Sequence, residues 1–192
     1  MKKKGFTLVE LLVMLIVLGV LMVVTIPNIS GLLKNQRLNK WKNDSENLIE
    51  IAKNYISKNS SNNELEKPEV NKCVVFTLDY LDTNNEIKTG PNGGKYQDFD
   101  SFVVYTKEST GPTTSKWVYY VQLVEVSAEG TAGVKLKVEA DLEDLKKSDI
   151  SNKTEDFILG LSDEEDASTQ SLTSSLSSVC PGGIKKYYAR KK

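Results

Sequence analysis

The chain opens with MKKKGFTLVELLVMLIVLGVLMVVTIP, residues 1–27, in which three lysines and a glycine precede a long apolar run. The run from Phe6 to Ile26 has 21 residues. A helix of about 20 apolar residues is long enough to cross a bilayer. The lysines at positions 2–4 place the N-terminus in the cytoplasm by the positive-inside rule. We therefore predict that residues 6–27 span the cell membrane and that the rest of the chain lies outside.

Glu10 is the one carboxylate inside this apolar run. An acidic side chain at the centre of a bilayer costs about 3 kcal/mol on insertion scales, and less near the interface, where Glu10 would lie. A secretory signal peptide would have a shorter apolar region and a small-residue cleavage site. A plain membrane anchor has no need of the glutamate, and a soluble helix rarely stays apolar on all faces over this length. The plain anchor explains the length of the run but not Glu10.

Beyond Pro27 the apolar residues become periodic. They recur at steps of three or four positions, and Ser45 fills the one missing place: Leu38, Trp41, Leu48, Ala52 and Tyr55. This spacing predicts an amphipathic helix with a single apolar stripe over residues 28–58. The turn-forming stretch KNSSNN, residues 58–63, ends it.

The composition argues against an enzyme. The 192 residues include no histidine, and we find no phosphate-binding glycine loop and no Cys-x-x-Cys motif. Without histidine the chain has no Ser-His-Asp or Cys-His nucleophile and no His-ligated metal. We expect no catalytic residue, no metal site and no cofactor. The formal net charge of -1 provides no bulk attraction to nucleic acid.

The stretch KKKGFTLVELLVMLIVLGVL and the residues after it, as far as residue 35, resemble the N-terminus of type IV prepilins, which carry class III signal peptides. The resemblance combines a short basic leader with Gly5, Phe6 and Glu10. It implies that residues 1–5 are a leader, that a prepilin peptidase cuts between Gly5 and Phe6, and that the new Phe6 amine is N-methylated. It also implies subunit assembly through Phe6 and Glu10, in which Glu10 pairs with the amine of a neighbouring subunit.

The resemblance also implies a role for Gly19 and Pro27. In assembled filaments of the family the helix between such landmarks can lose regularity, which implies kinking or melting at Gly19 and Pro27. Glycine disfavours a helix interior by about 1 kcal/mol relative to alanine, and proline by about 3 kcal/mol. Both residues are also common in membrane helices, so an ordinary structural role stays open. For Glu10 the alternative is an interfacial anchor.

Residues 64–192 are predicted to form a globular head. CVVFTLDYLD, from residue 73, indicates a short strand, alone or leading into a helical turn. SFVVYTK, KWVYYVQLVEV and GVKLKVEA indicate three strands over residues 101–107, 116–126 and 133–140. Their connections have hairpin length, and the amphipathic half of the helix can cover one face of the sheet. The predicted fold class is α+β: a long N-terminal helix packed on a small antiparallel sheet, as the resemblance to pilins also implies.

Cys73 and Cys180 are the only cysteines, and both fall in the predicted exterior head, where disulfides persist. In several pilins a disulfide ties the C-terminal stretch to the sheet. The resemblance therefore implies a disulfide between Cys73 and Cys180. Two buried free thiols are the alternative.

In the last part of the chain, acidic residues and basic residues lie in separate segments. Residues 139–166 contain eleven acidic residues, and their LSDEED stretch lacks the spacing of an EF-hand calcium loop, so we expect a solvated acidic surface. In the tail IKKYYARKK, residues 184–192, basic residues lie on both sides of two tyrosines, a pattern that can bind nucleic acid: Lys185, Lys186, Tyr187, Tyr188 and Arg190. The alternatives are pairing with the acidic stretch and a frayed, soluble end.

The main hypothesis is a structural subunit, a pilin, of a type IV pilus or related filament that supports adhesion, motility or DNA uptake. Its expected partners are further copies of itself, other pilins, the prepilin peptidase, the pilus assembly machinery and, before assembly, the membrane. Nucleic acid is a further candidate partner. The subunit would be a single-pass membrane protein before assembly and part of an extracellular pilus afterwards. The alternatives are a pseudopilin or minor pilin of a secretion or competence system, and a binding module at a filament tip.

Overall fold

The computed structural model describes residues 6–60, 65, 67–82, 84, 86–152 and 174–189, without the side chains of residues 23–30, 174 and 175. The chain divides into two compact units, residues 1–37 and residues 38–192. The second unit holds the sheet and the part of the N-terminal helix that packs on it. The fold class is α+β, as predicted, with a mostly antiparallel sheet.

Helix α1 runs from Leu8 to Asn59. In the second unit its predicted stripe faces the core: Trp41, Ser45, Leu48 and Ala52 are buried, and Leu38 and Tyr55 are partly buried. Ile49 and Ile56 widen this stripe. The helix ends at Asn59, and the Ser60 hydroxyl donates to the Ser57 carbonyl at 3.1 Å, which satisfies one of the acceptors that the helix end leaves free.

Seven strands among the described residues form one sheet: β1 Cys73–Thr77, β2 Lys95–Tyr96, β3 Phe102–Ser109, β4 Ser115–Ser127, β5 Gly130–Val138, β6 Ile150–Ser151 and β7 Ile184–Tyr188. The order across the sheet is β6-β5-β4-β3-β1-β7, and β2 pairs with β4. Every pair is antiparallel except β1 with β7, which is parallel. The other described elements are short: helices α2 Leu78–Leu81 and α3 Ser174–Val179, and 3-10 turns at Glu139–Asp141 and Lys147–Asp149.

The three predicted strands correspond to β3, β4 and β5, each with boundaries shifted by a few residues. Of the two interpretations of the segment from residue 73, the strand leading into a helical turn is right. Thr77 marks the change from β1 to α2, because its hydroxyl accepts a hydrogen bond from the Tyr80 backbone N–H at 3.3 Å. Strands β2, β6 and β7 were not predicted, since β2 and β6 have two residues each and β7 resembles a charged tail.

The central strands are buried on both faces. Successive side chains of a strand point to opposite faces, so Val74 and Phe76 of β1 join the core beneath α1, while Cys73 and Val75 join a second core on the other face. This second core also contains Leu176 of α3. Because both faces of β1 are buried, its sequence is a continuous apolar run and does not alternate between apolar and polar residues.

A disulfide joins Cys73 to Cys180, as the resemblance implies, so the alternative of two free thiols is wrong. Backbone hydrogen bonds surround the bridge. The Gly182 N–H donates to the Asn71 carbonyl at 2.8 Å, and the Cys73 N–H donates to the Gly183 carbonyl at 3.1 Å. The bridge connects residues 107 positions apart, with their Cα atoms 5.6 Å apart, and thereby holds the approach to β7 against the start of β1.

We predict that replacing both cysteines by serine lowers the free energy of unfolding by about 4 to 5 kcal/mol, because a bridge across a loop of about 100 residues restricts the unfolded chain by that amount. Urea titration of the purified chain, followed by tryptophan fluorescence from the buried Trp41 and the exposed Trp117, measures the change. Reducing agent should destabilise the wild-type protein to the same degree and leave the Cys73→Ser/Cys180→Ser variant unaffected. A loss below about 1 kcal/mol would contradict the prediction.

Candidate functional site

The candidate site is the start of α1, where the sequence placed Phe6 and Glu10. Thr7 precedes the helix, and its hydroxyl accepts a hydrogen bond from the Glu10 backbone N–H at 3.3 Å. In return, Glu10 Oε2 accepts hydrogen bonds from the Thr7 backbone N–H and from the Thr7 hydroxyl, both at 2.9 Å. The two residues therefore satisfy each other's polar groups before the apolar part of the helix begins.

This reciprocal arrangement is a capping box, in which a threonine N-cap and a glutamate three residues later satisfy two backbone N–H groups that a helix start leaves free. It was not predicted, although the pattern Thr-x-x-Glu before an apolar run is its signature. The capping box gives the Glu10 carboxylate hydrogen-bond partners within its own chain. Both of the donors from Thr7 meet Oε2, so Oε1 retains its capacity to accept from another group.

Every described side chain from Phe6 to Met22 is exposed. The exposed fraction of the large apolar side chains in this stretch ranges from 51% to 80%, which is high for such residues. A contiguous apolar surface of this extent marks a site of interaction with protein or membrane. The start of α1 thus combines a capped carboxylate with an apolar surface on all sides of the helix.

The membrane assignment of residues 6–27 stays a prediction. None of the helices that the structure describes is both long enough and apolar enough to cross a membrane.

Gly19 and Pro27 lie within α1, which is helical throughout, and their predicted role in kinking or melting is likewise untested. Gly5 and the rest of the predicted leader lie outside the described residues.

The tail residues have a different setting from the one the sequence suggested. Tyr187 is buried in the second core, and Tyr188 stacks on Phe76 with ring centroids 4.9 Å apart and an interplanar angle of 11°. The Tyr187 ring is enclosed by the head, and Phe76 covers one face of the half-buried Tyr188 ring, so less ring surface is open to bases than the sequence suggested. Lys185 Nζ lies 3.3 Å from Glu69 Oε1, whose pKa is held below its usual range by hydrogen bonds from Lys72 and Lys185.

Residues 184–188 are therefore a strand of the sheet, and the interpretation of this stretch as a frayed end is wrong. Lys186 is exposed, and Arg190 lies outside the described residues. Of the acidic stretch 139–166, residues 139–152 are described: Asp141, Glu143 and Asp144 are exposed, and Lys137 pairs with Asp149 at 2.9 Å. The LSDEED stretch lies outside the described residues.

Comparison with known proteins bears on the candidate site alone. Residues 1–26 match the family model of the prokaryotic N-terminal methylation motif, the class III signal peptide of type IV pilins. No curated protein and no solved structure matches the chain significantly. The motif supports a type IV pilin-like or pseudopilin precursor that is anchored in a membrane, processed by prepilin peptidase and assembled with other pilins.

We predict that Tyr188→Ala lowers the free energy of unfolding by about 2 kcal/mol, because a half-buried ring that stacks on Phe76 is lost. The exposed Lys186→Ala, two positions earlier on the same strand, should change it by no more than about 0.5 kcal/mol. Urea midpoints of the two variants measure the difference. Equal midpoints for Tyr188→Ala and the wild-type chain would show that the stacked pair does not support the head.

Proposed function

We propose that this chain is a pilin, a structural subunit of a type IV pilus or related filament, and that it acts without catalysis. The observation that carries the proposal is the methylation motif over residues 1–26. On this proposal the peptidase cuts between Gly5 and Phe6, the Phe6 amine is methylated, and residues 6–27 hold the subunit in the membrane until it is assembled.

The exposed apolar surface of residues 6–22 supports this sequence of events. Before assembly, lipid covers the surface, and the lysines at positions 2–4 keep the leader in the cytoplasm. In the filament, the corresponding segments of neighbouring subunits replace the lipid. Lipid tails are as apolar as these side chains, so packing and polar pairing, and not burial from water, decide the association of such helices.

Glu10 supplies the polar pairing. Cleavage after Gly5 leaves a cationic amine on Phe6, and the capping box leaves Oε1 of Glu10 able to accept from an amine of a neighbouring subunit. In an apolar setting each of these two charges removes the desolvation cost of the other. Only one stagger of the two helices brings the groups together, so the pair sets register more than it adds raw stability.

The head, on this proposal, serves as the exposed body of the subunit. The alternative is a pseudopilin or minor pilin of a secretion or competence system, which would share the same processing and the same N-terminal helix. The abundance of the chain in filaments sheared from the cell surface separates the two. A major subunit dominates such a preparation, whereas a minor subunit or pseudopilin is a trace component of it.

We predict that the mature protein begins with N-methylated Phe6, since the motif is that of a processed and methylated class. Loss of residues 1–5 from the 192-residue chain leaves 187 residues. Mass spectrometry of the intact protein and of its N-terminal peptide measures both changes. A Gly5→Leu variant should retain its leader. A native protein that keeps its lysine leader, or one that is trimmed beyond Ile26, would overturn the proposal.

We further predict that Glu10→Ala and Glu10→Gln are inserted and processed but assemble poorly. Loss of one partner of a buried ion pair costs about 3 to 5 kcal/mol, which corresponds to more than a hundredfold in subunit association. Glutamine still accepts the hydrogen bonds of the capping box, so Glu10→Gln removes the charge alone. Thr7→Ala removes the two hydrogen bonds of the Thr7 hydroxyl but keeps the charge of Glu10. Loss of the cap costs about 1 kcal/mol, so this variant should retain most of the filament yield.

Quantifying sheared filaments against total cell-associated protein measures assembly in all three variants. The interfacial-anchor alternative for Glu10 predicts poor insertion and normal assembly of whatever is inserted. Wild-type filament yield from Glu10→Ala would refute the role of the ion pair. A normal yield from Glu10→Gln with a poor yield from Thr7→Ala would assign the effect to capping.

A further inference from the structure

A loop in the head is folded around a buried carboxylate. Glu125 of β4 is fully buried, and the loop of residues 89–94, TGPNGG, lies against it. Oε1 of Glu125 accepts from the backbone N–H groups of Asn92 at 3.0 Å and Gly94 at 2.6 Å. Oε2 accepts from the side-chain Nδ2 of Asn92 at 2.9 Å. Three donors from two residues of the loop thus satisfy this carboxylate.

The fit of the loop is close. A Cβ atom added to Gly90 would lie 2.3 Å from Cδ of Glu125, and one added to Gly94 would lie 2.3 Å from the Val126 carbonyl oxygen. The turn itself is closed by the Gly93 N–H, which donates to the Gly90 carbonyl at 3.1 Å. Only glycine allows so close an approach, to the Glu125 side chain at Gly90 and to the β4 backbone at Gly94.

The loop leads directly to the helix. Strand β2 follows it, and the Tyr96 hydroxyl donates to Asp44 Oδ2 of α1 at 2.5 Å. The Tyr96 ring also meets Trp41 edge to face, with ring centroids 5.7 Å apart. Burial and the neighbouring Asp44 carboxylate both raise the pKa of Tyr96, so its hydroxyl remains a donor at any physiological pH. The loop is therefore continuous with the segment that fastens the sheet to α1.

We propose that Asn92 is a deamidation site and that Glu125 converts its deamidation into release of the 89–94 loop. Asn92 is followed by Gly93, which has no side chain to shield its own backbone nitrogen, and Gly93 is exposed to water. The Gly93 N–H first releases the Gly90 carbonyl and loses its proton. The nitrogen then attacks Cγ of Asn92, the side-chain amide takes up a proton and leaves as ammonia, and a succinimide ring forms. Water then opens the ring to aspartate or isoaspartate. The net change is one water consumed and one ammonia released, with no oxidant or cofactor.

Because Asn92 contacts Glu125, deamidation changes the hydrogen bonds that hold the 89–94 loop. Nδ2 of Asn92, a donor 2.9 Å from Oε2 of Glu125, is replaced by a carboxylate oxygen. Two carboxylates then face each other at a residue that water does not reach, where repulsion between like charges is weakly screened. The isoaspartate product also adds a methylene to the backbone and displaces the N–H groups of residues 92 and 94. Both products remove donors from Glu125, so the loop must separate from it.

The test monitors the full-length purified chain during incubation at 37 °C and pH 8. Peptide mass spectrometry detects a gain of about 1 Da at Asn92, and hydrogen exchange measures protection of the Gly94 amide. We expect the Gly94 amide to lose at least about tenfold in protection in the modified fraction and none in the unmodified fraction. Chain unfolded in urea gives the reference rate of deamidation without the loop contacts.

Two variants isolate the role of charge. Asn92→Asp should show the same loss of protection without incubation. Asn92→Asp/Glu125→Gln should regain it, because the glutamine amide donates to the new carboxylate while its oxygen still accepts from the loop. Native Asn92 that stays unmodified while the unfolded chain converts would overturn the assignment of the site. Deamidation without loss of Gly94 protection, or a double variant no better protected than Asn92→Asp, would overturn the role of Glu125.

Discussion

The packing of α1 on the sheet is the interaction on which the head depends. Trp41, Leu48 and Ala52 present one apolar stripe to a strand surface that is apolar on that face, and neither surface could remain in water alone. The first part of the same helix has no stripe, because its apolar side chains point in every direction. One helix therefore serves two surroundings: the interior of its own head, and an apolar partner that the proposed filament or the membrane supplies.

Several carboxylates of this chain accept hydrogen bonds from backbone N–H groups. Glu10 accepts from Thr7, Glu125 accepts from the 89–94 loop, and Asp82 accepts from the backbone N–H groups of Glu86 and Ile87 at 2.7 and 2.9 Å. A buried carboxylate without such donors would cost several kcal/mol. In each case the charge organises a local turn or helix start. For Glu10 this local role exists alongside the proposed pairing with a neighbouring subunit.

Much of the fold could be predicted because its strongest features are periodic. The stripe of α1 and the strands β3 to β5 follow from spacing and composition. The Cys73–Cys180 bridge followed from resemblance and not from spacing. Strand β7 could not be predicted, since its lysines and tyrosines suggest a charged tail, and only the partner strand β1 shows that Tyr187 belongs inside. Glu125 was missed for a similar reason, because its donors lie about 30 positions away in the chain.

The pairing of β1 with β7 has a consequence for biogenesis. Val74 lies beside Lys186, 112 positions later, so this pairing is strongly non-local and forms late in folding. Ribosomes add about 5 to 20 residues per second, so β1 waits roughly 6 to 22 seconds for this partner to be made. During that interval one edge of an apolar strand is open to pairing with other chains. Such a subunit would benefit from a chaperone that covers β1 until β7 arrives.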